Sequence, residues 1–144
     1  MTRDEYGMEL ARVASLMSKD PSTKVGCCIM AEDGTIVSLG RNGTARGADD
    51  AKWVQGSRDL KLAVTLHAEL NGILNASRPV AGCTAYVYPL PTCSHCAAVL
   101  AQSGIKRVVC YGSQVGDRWH DSAEIGKELI LELGLEYTTI ERAE

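Results

Sequence analysis

Two short stretches constrain this chain more than anything else in it: His67-Ala68-Glu69, and further along Pro91-Thr92-Cys93-Ser94-His95-Cys96. Two cysteines at C-x-x-C spacing and one histidine are three donors of the kind that hold zinc, and a tetrahedral metal bound by three protein groups keeps its fourth position for water. A fold that uses them must bring two separate segments to one point. His67, Cys93 and Cys96 are therefore the candidate ligands, with Zn2+ as the metal. Glu69 lies two residues beyond the histidine, poorly placed for a fourth ligand but able to face the water as a proton carrier. Taken alone, C-x-x-C is equally a redox dithiol or half of a structural zinc knuckle, and a lone histidine is more often a partnered core or surface residue. The combination carries the reading.

The rest of the pattern predicts how those segments are presented. Thr2 with Glu5 forms a capping box, and Tyr6, Leu10, Val13, Ala14 and Met17 recur at helical spacing, so a helix is expected over residues 2–18, stopped by Asp20-Pro21. Apolar runs at 25–30 and 35–39, joined through Asp33-Gly34, predict a β-hairpin. From 40 to about 58, glycines and mixed charges replace periodicity, which predicts a long loop with a short helical turn near Trp53; such loops are often functional. A helix starting at Thr65 or Leu66 would carry His67 and Glu69 in its first turn before Ser77-Arg78-Pro79 ends it.

A strand over 84–88 then leads to a helix over 94–103 with Gly104 as its stop, which places Cys93 at a helix N-terminus, where the dipole favours the thiolate. A strand over 105–111, a helix capped by Asp121 or Ser122 and bearing Ile125, Leu129 and Leu133, and a last strand over 135–140 complete the chain. Alternating strands and helices imply parallel pairing, whereas the early hairpin adds antiparallel strands. The expected architecture is α/β: three αβα layers around a mixed five-stranded sheet, with both halves of the motif where strand ends feed helix starts.

With 144 residues the chain suits a single domain over 1–144. Met1-Thr2-Arg3-Asp4-Glu5 is no apolar signal core, and no stretch is long and apolar enough to span a bilayer, so a cytoplasmic protein without a membrane partner is expected. In that compartment cysteines stay reduced; Cys27, Cys28, Cys83 and Cys110 lie in or beside apolar segments and are expected as core residues. A net charge of −3 argues against a broad surface for long nucleic acid and leaves a small anionic ligand open. Lys24, Thr23 and Ser22 before the first strand, with Arg41 and Arg46 flanking Asn42, are the cationic and hydroxyl groups that an anion pocket would use.

These residues resemble the zinc-dependent cytidine/deoxycytidylate deaminase superfamily, most closely its deoxycytidylate (dCMP) deaminase branch, over nearly the whole chain. The likeness rests on residues 18–26 (Ser-Lys-Asp-Pro-Ser-Thr-Lys-Val-Gly), Asn42-Gly43, His67-Ala68-Glu69-Leu70-Asn71 and Pro91-Thr92-Cys93-Ser94-His95-Cys96-Ala97. It implies a cytidine deaminase-like fold, zinc on His67, Cys93 and Cys96, proton shuttling by Glu69, and a homo-oligomer. It further implies that Asn42 helps to hold the nucleoside and that Thr23 or Lys24 lies near the phosphate end; Arg46 is a candidate for the same end on its charge and place in the loop. The chain departs from the family pattern where Thr92 separates Pro91 from Cys93, where Arg41 precedes Asn-Gly in place of tyrosine, and where Ala45 replaces the loop proline. His95 and His120 are read as non-ligands.

The implied reaction is hydrolytic deamination at C4 of a cytosine nucleotide, dCMP to dUMP and ammonia, with Glu69 moving protons between water, ring N3 and the leaving amine. Two rivals share parts of the pattern. Deamination of another base, such as tRNA adenosine, a free purine or a cytosine nucleoside, would use the same zinc chemistry. A non-catalytic zinc-stabilised interaction domain would close the metal site with a fourth protein ligand.

Overall fold

The capping box forms as the sequence predicts: Thr2 Oγ1 accepts the Glu5 N–H at 3.1 Å and Glu5 Oε1 accepts the Thr2 N–H at 3.3 Å. In the computed structural model, which describes residues 1–112 and 116–142, the helix that follows, α1, spans Arg3–Ser15. It ends three residues before the predicted 18 because the N–H groups of Leu16, Met17 and Ser18 turn to the carbonyls of Val13, Ala14 and Ser15, an i→i−3 tightening common at helix ends. The Ser18 hydroxyl is then free to donate to the Asn42 carbonyl at 2.9 Å. The hairpin strands are β1 (Gly26–Met30) and β2 (Ile36–Arg41).

Where a long loop is expected, two short helices form, α2 (Asp50–Trp53) and α3 (Arg58–Val64). α2 is the helical turn expected near Trp53. α3 corrects the reading: Ser57 Oγ accepts the Leu60 N–H at 3.2 Å and caps a helix that the sequence reading left out. The next helix, α4 (Ala68–Leu74), begins later than Thr65 or Leu66, since Thr65 is the C-cap of α3 and His67 is the N-cap of α4. Strand β3 is Thr84–Tyr88 and helix α5 is Ser94–Gln102, followed by Gly104 at φ +90°, the left-handed position that glycine supplies past a helix end.

Beyond α5 come β4 (Arg107–Tyr111), α6 (Asp117–Glu132) and β5 (Glu136–Ile140). α6 starts before Asp121 and Ser122, with Gly116 as its N-cap. The Ser122 hydroxyl is used elsewhere, accepting the Ser94 N–H at 3.0 Å, so it caps the neighbouring helix instead of its own.

The five strands lie in the order β2-β1-β3-β4-β5, with β1 antiparallel to both β2 and β3, and β3, β4 and β5 parallel, which is the mixed sheet expected. Successive residues of β1 and β3 supply opposite cores. Cys28, Met30, Tyr86 and Val109 pack against Met8 and Ala11 of α1, while Cys27, Ile29, Ala85, Val87 and Val108 pack with Ala68, Ala97, Leu100 and Ile130 from α4, α5 and α6. The result is three layers. Cys27, Cys28, Cys83 and Cys110 are buried, as expected of small core residues. α4 lies so close to β2 that a Cβ on Gly40 would stand 2.3 Å from the Ala68 carbonyl oxygen, so only glycine lets the metal-motif helix settle on this strand. Among the described residues, no helix is long and apolar enough to cross a membrane.

Candidate active site

The two halves of the motif arrive as helix N-caps. His67 is the N-cap of α4 and Cys93 that of α5, so each donor stands just outside the first turn of its helix, and Cys96 follows within the first turn of α5. An antiparallel bridge fixes the approach to His67: Gly43 and Leu66 exchange backbone bonds at 3.0 and 2.8 Å, closing the whole 43–66 excursion at its base. The His67 side chain makes no capping bond, because its Nδ1 lies 3.2 Å from Cys96 Sγ and 3.4 Å from Cys93 Sγ. One imidazole nitrogen and two sulfurs thus lie within 4.8 Å of one another, the one candidate metal cluster among the described residues. His95 and His120 are exposed and stand outside it.

The donor set fits zinc on chemistry as well as distance. Between the two sulfurs the proton stays with Cys96: its thiol, opposed by burial and assisted by the His67 ring and the Cys96 backbone N–H at 3.3 Å, lowers the Cys93 thiol, while the same contact and burial raise Cys96. A thiol that gives up its proton so easily is already a metal ligand in waiting.

Beside the cluster, Glu69 is 4% exposed and Thr92 is 1% exposed, and the Thr92 hydroxyl donates to Glu69 Oε2 at 2.6 Å. Burial pushes the Glu69 carboxyl above the ordinary glutamate range, against the opposing Thr92 bond. Both His67 and Glu69 border a cavity of about 300 Å³, whose walls also include Cys93, Val87, Trp119, Ser22, Thr23, Asn42, Arg58 and Lys61. Asn42 is held by backbone on two sides: its Oδ1 accepts the Val25 N–H at 2.9 Å and its Nδ2 donates to the Thr23 carbonyl at 2.8 Å. It acts as a false strand residue that shapes the wall.

Of the residues expected to bind substrate, Thr23 and Asn42 reach this cavity. Lys24 is exposed and lies outside its lining. Arg46 borders a neighbouring cavity of about 240 Å³ and donates to Asn75 Oδ1 at 2.8 Å. Asp20 and Lys61 belong to both cavities, their side chains about nine-tenths buried and 3.1 Å apart. Asp20 Oδ1 also accepts the Ser22 and Thr23 N–H groups at 2.8 and 3.0 Å; burial alone would raise its carboxyl, but these bonds and Lys61 bring it below the ordinary aspartate value.

Sequence reasoning missed Arg58, Lys61 and Trp119. Ser57 followed by Leu60 and Val64 at helical spacing was a usable signal for α3, the helix that carries the first two. Nothing local signals that Lys61 meets Asp20 or that Trp119 returns to the site.

A family model described as the cytidine and deoxycytidylate deaminase zinc-binding region matches residues 1–112, which include His67, Glu69, Cys93 and Cys96. The chain belongs to this family. Deoxycytidylate deaminases of Mus musculus and Homo sapiens are 39% and 38% identical to it over 126 residues, covering 83% of this chain and 68% of theirs. A dCMP deaminase from the cyanophage S-TIM5, solved in complex with dCMP and dUMP, superimposes with a TM-score of 0.74 at 24% identity, covering 94% of this chain and 95% of that chain. That likeness bears on the fold, which is the cytidine deaminase-like αβα arrangement. The enzyme is a zinc-dependent hydrolase of this family, and the His67, Cys93 and Cys96 cluster is a group of donors that could hold a metal ion and fits Zn2+.

Proposed function

We propose that this deaminase converts dCMP to dUMP and ammonia. The observation that carries the reading is a buried carboxylate, Glu69, beside three zinc donors in a cavity sized for a small ligand, in a chain whose 38–39% identical relatives are deoxycytidylate deaminases. His67, Cys93 and Cys96 would hold the zinc, which when bound would supply Lewis acidity that brings water towards a pKa of about 7. Glu69 takes the proton that this water gives up and delivers it to ring N3 as the C4–O bond forms. It then carries the remaining hydroxyl proton to the amino group as the C4–N bond breaks, so that nitrogen leaves as ammonia. A carboxyl whose proton affinity is raised by burial suits both halves of that cycle.

The nucleotide phosphate, of about −1.5 to −2 charge, needs a compact cationic partner. Arg58 and Lys61, one helical turn apart on α3, line the same cavity as the Ser22 and Thr23 residues. Asp20 already neutralises Lys61, which leaves Arg58 as the cation of that group that has no ion-pair partner among the described residues. In this reading Arg58, with the Thr23 and Ser22 hydroxyls, takes the phosphate, and Asn42 borders the sugar with the amide hydrogen that Thr23 does not use. Lys24 and Arg46 lie beyond the lining and supply long-range field. We place the enzyme in the cytoplasm, where the buried Cys27, Cys28, Cys83 and Cys110 would stay reduced and Cys93 and Cys96 would be free to hold the metal.

Ammonia release from dCMP, CMP, deoxycytidine and cytosine tests this reading. The expected result is a far higher kcat/KM for dCMP than for deoxycytidine, with Arg58→Ala raising KM for dCMP by the equivalent of about 1.5–3 kcal/mol. Equal efficiency on dCMP and deoxycytidine, or no response of KM to Arg58→Ala, overturns the phosphate site; absence of turnover on all four overturns the activity.

A further inference from the structure

We infer that Thr92, the residue interposed between Pro91 and Cys93, is a positioning residue for the deaminase reaction: it fixes the Glu69 carboxylate through Oε2 and leaves Oε1 as the oxygen that carries the proton. The inference rests on the reading of the chain as a cytosine-nucleotide deaminase and deepens it. Thr92 Oγ1 lies 2.6 Å from Glu69 Oε2, and both side chains are within a few per cent of complete burial. Pro91 and Cys93 on either side of Thr92 border the cavity, whereas Thr92 does not, so its hydroxyl meets the chemistry through Glu69 and not through the substrate.

A threonine hydroxyl has one hydrogen, and here it points to a carboxylate oxygen, so Oε2 is the acceptor, and a proton placed on Oε2 would require the Thr92 hydroxyl to turn its own hydrogen away and accept instead. Among the described residues no other side chain bonds the carboxylate, whose remaining contact is the backbone N–H of Glu69 itself, so Oε1 is the oxygen that Thr92 leaves to the cavity side. When Glu69 is ionised, Thr92 donates to Oε2; when Oε1 has taken a proton, Oε2 is the carbonyl oxygen of the acid and accepts the same bond. The contact therefore survives both protonation states and holds the carboxyl plane still while the proton moves between water, N3 and the leaving amine. A general acid or base is effective only within about 2.6–3.2 Å of the atom it serves, and fixed geometry is what lets one group serve three in turn.

The anchor itself is held. α6 packs on the segment so tightly that a Cβ on Gly126 would lie 3.1 Å from the carbonyl oxygens of Thr92 and Cys93. Ser122 of the same helix accepts the Ser94 N–H at 3.0 Å. Thr92 thereby couples the ligand helix α5, the outer helix α6 and the proton carrier on α4. The pairing spans 23 positions of sequence, and no local pattern announces it.

The test compares zinc-loaded wild type with Thr92→Val, which keeps the shape and loses the donor, and Thr92→Ser, which keeps the donor and loses the methyl group. Thr92→Val is expected to lower kcat for dCMP by about 10- to 100-fold, the scale of a small misplacement of a reacting group. KM, zinc content per chain and calorimetric affinity for dUMP are expected to stay close to wild type. Thr92→Ser recovers most of the loss. Unchanged kcat in Thr92→Val, a change confined to KM, or equal losses in Thr92→Val and Thr92→Ser overturn the inference.

Thr92→Ala, which adds no bulk, takes the place of Thr92→Val should the latter not fold, with the same outcomes. If wild type deaminates no cytosine nucleotide, the functional reading falls by itself. The positioning claim is then decided by crystal structures of wild type and Thr92→Val: a rotated Glu69 carboxylate supports it, and a superimposable one overturns it.

Discussion

At the scale of single residues, the site is a contest between burial and proton affinity that Glu69 and Cys93 settle in opposite directions. Burial raises the proton affinity of the glutamate, while the Cys96 thiol first, and then the His67 ring and the Cys96 backbone N–H, lower that of Cys93. Glu69→Gln separates the two tasks. The amide preserves shape and the Thr92 contact but carries no exchangeable acid proton, so turnover is expected to fall by at least about 10²–10⁴-fold with zinc content unchanged, checked by ammonia release and elemental analysis. Near-wild-type turnover would move the proton relay to another group. His67, Glu69, Cys93 and Cys96 were legible in the sequence because spacing alone encodes them: a C-x-x-C brackets the first turn of a helix, and His-x-Glu puts an N-cap beside a first-turn acid. Thr92 was legible only as an oddity of spacing. Its partner lies on another helix, and contact between helices is not written in either one.

At the scale of elements, regular periodicity carried the reading and broken periodicity defeated it. Strand β3 (Thr84–Tyr88) and the caps at Thr2 and Cys93 fall where apolar alternation and capping chemistry place them. α3 (Arg58–Val64) did not, because glycines and mixed charges around it hide a helix of only seven residues. Its start is set by Ser57, and its place in the molecule by Lys61. That lysine meets Asp20 across 41 positions with both side chains about nine-tenths buried. Removing one member of a buried pair leaves the other without compensation, so Lys61→Ala is expected to cost about 3 kcal/mol. That is the low end for such pairs, because Asp20 keeps two backbone N–H bonds. Urea unfolding measures it, and an unchanged midpoint would show that α3 is held by its other contacts. α3 also presents Arg58 to the cavity, so the same change is expected to raise KM for dCMP as that helix loosens.

At the scale of the whole molecule, the sheet separates two faces with different duties. α4, α5 and α6 build the candidate metal site and its support on one face, while α1 is the helix that packs on the other among the described residues. α1 is tied down at its first turn, where Asp4 accepts a bidentate pair from Arg107 of β4 at 2.8 and 2.6 Å and a third bond from the Tyr86 hydroxyl at 2.8 Å. Arg107, against a smaller opposing effect of burial, holds the Asp4 carboxyl below its ordinary value of 3.8. A depressed folded pKa means that the folded state binds its proton less readily than the unfolded chain. The stabilisation is therefore fully present above the ordinary value and is lost as pH falls through the lower, folded one. Asp4→Asn is expected to lower stability by about 1 kcal/mol near neutral pH, since the cluster is partly open to solvent. The difference from wild type should shrink at pH values below that window, where wild type has lost the same charge. Because this tie lies across the sheet from Glu69, kcat/KM for dCMP at neutral pH should not change. Urea unfolding of both proteins across the acid range, with one activity measurement at neutral pH, checks both halves; a stability gap that does not depend on pH would assign the loss to packing at Tyr86 and not to the charge on Asp4.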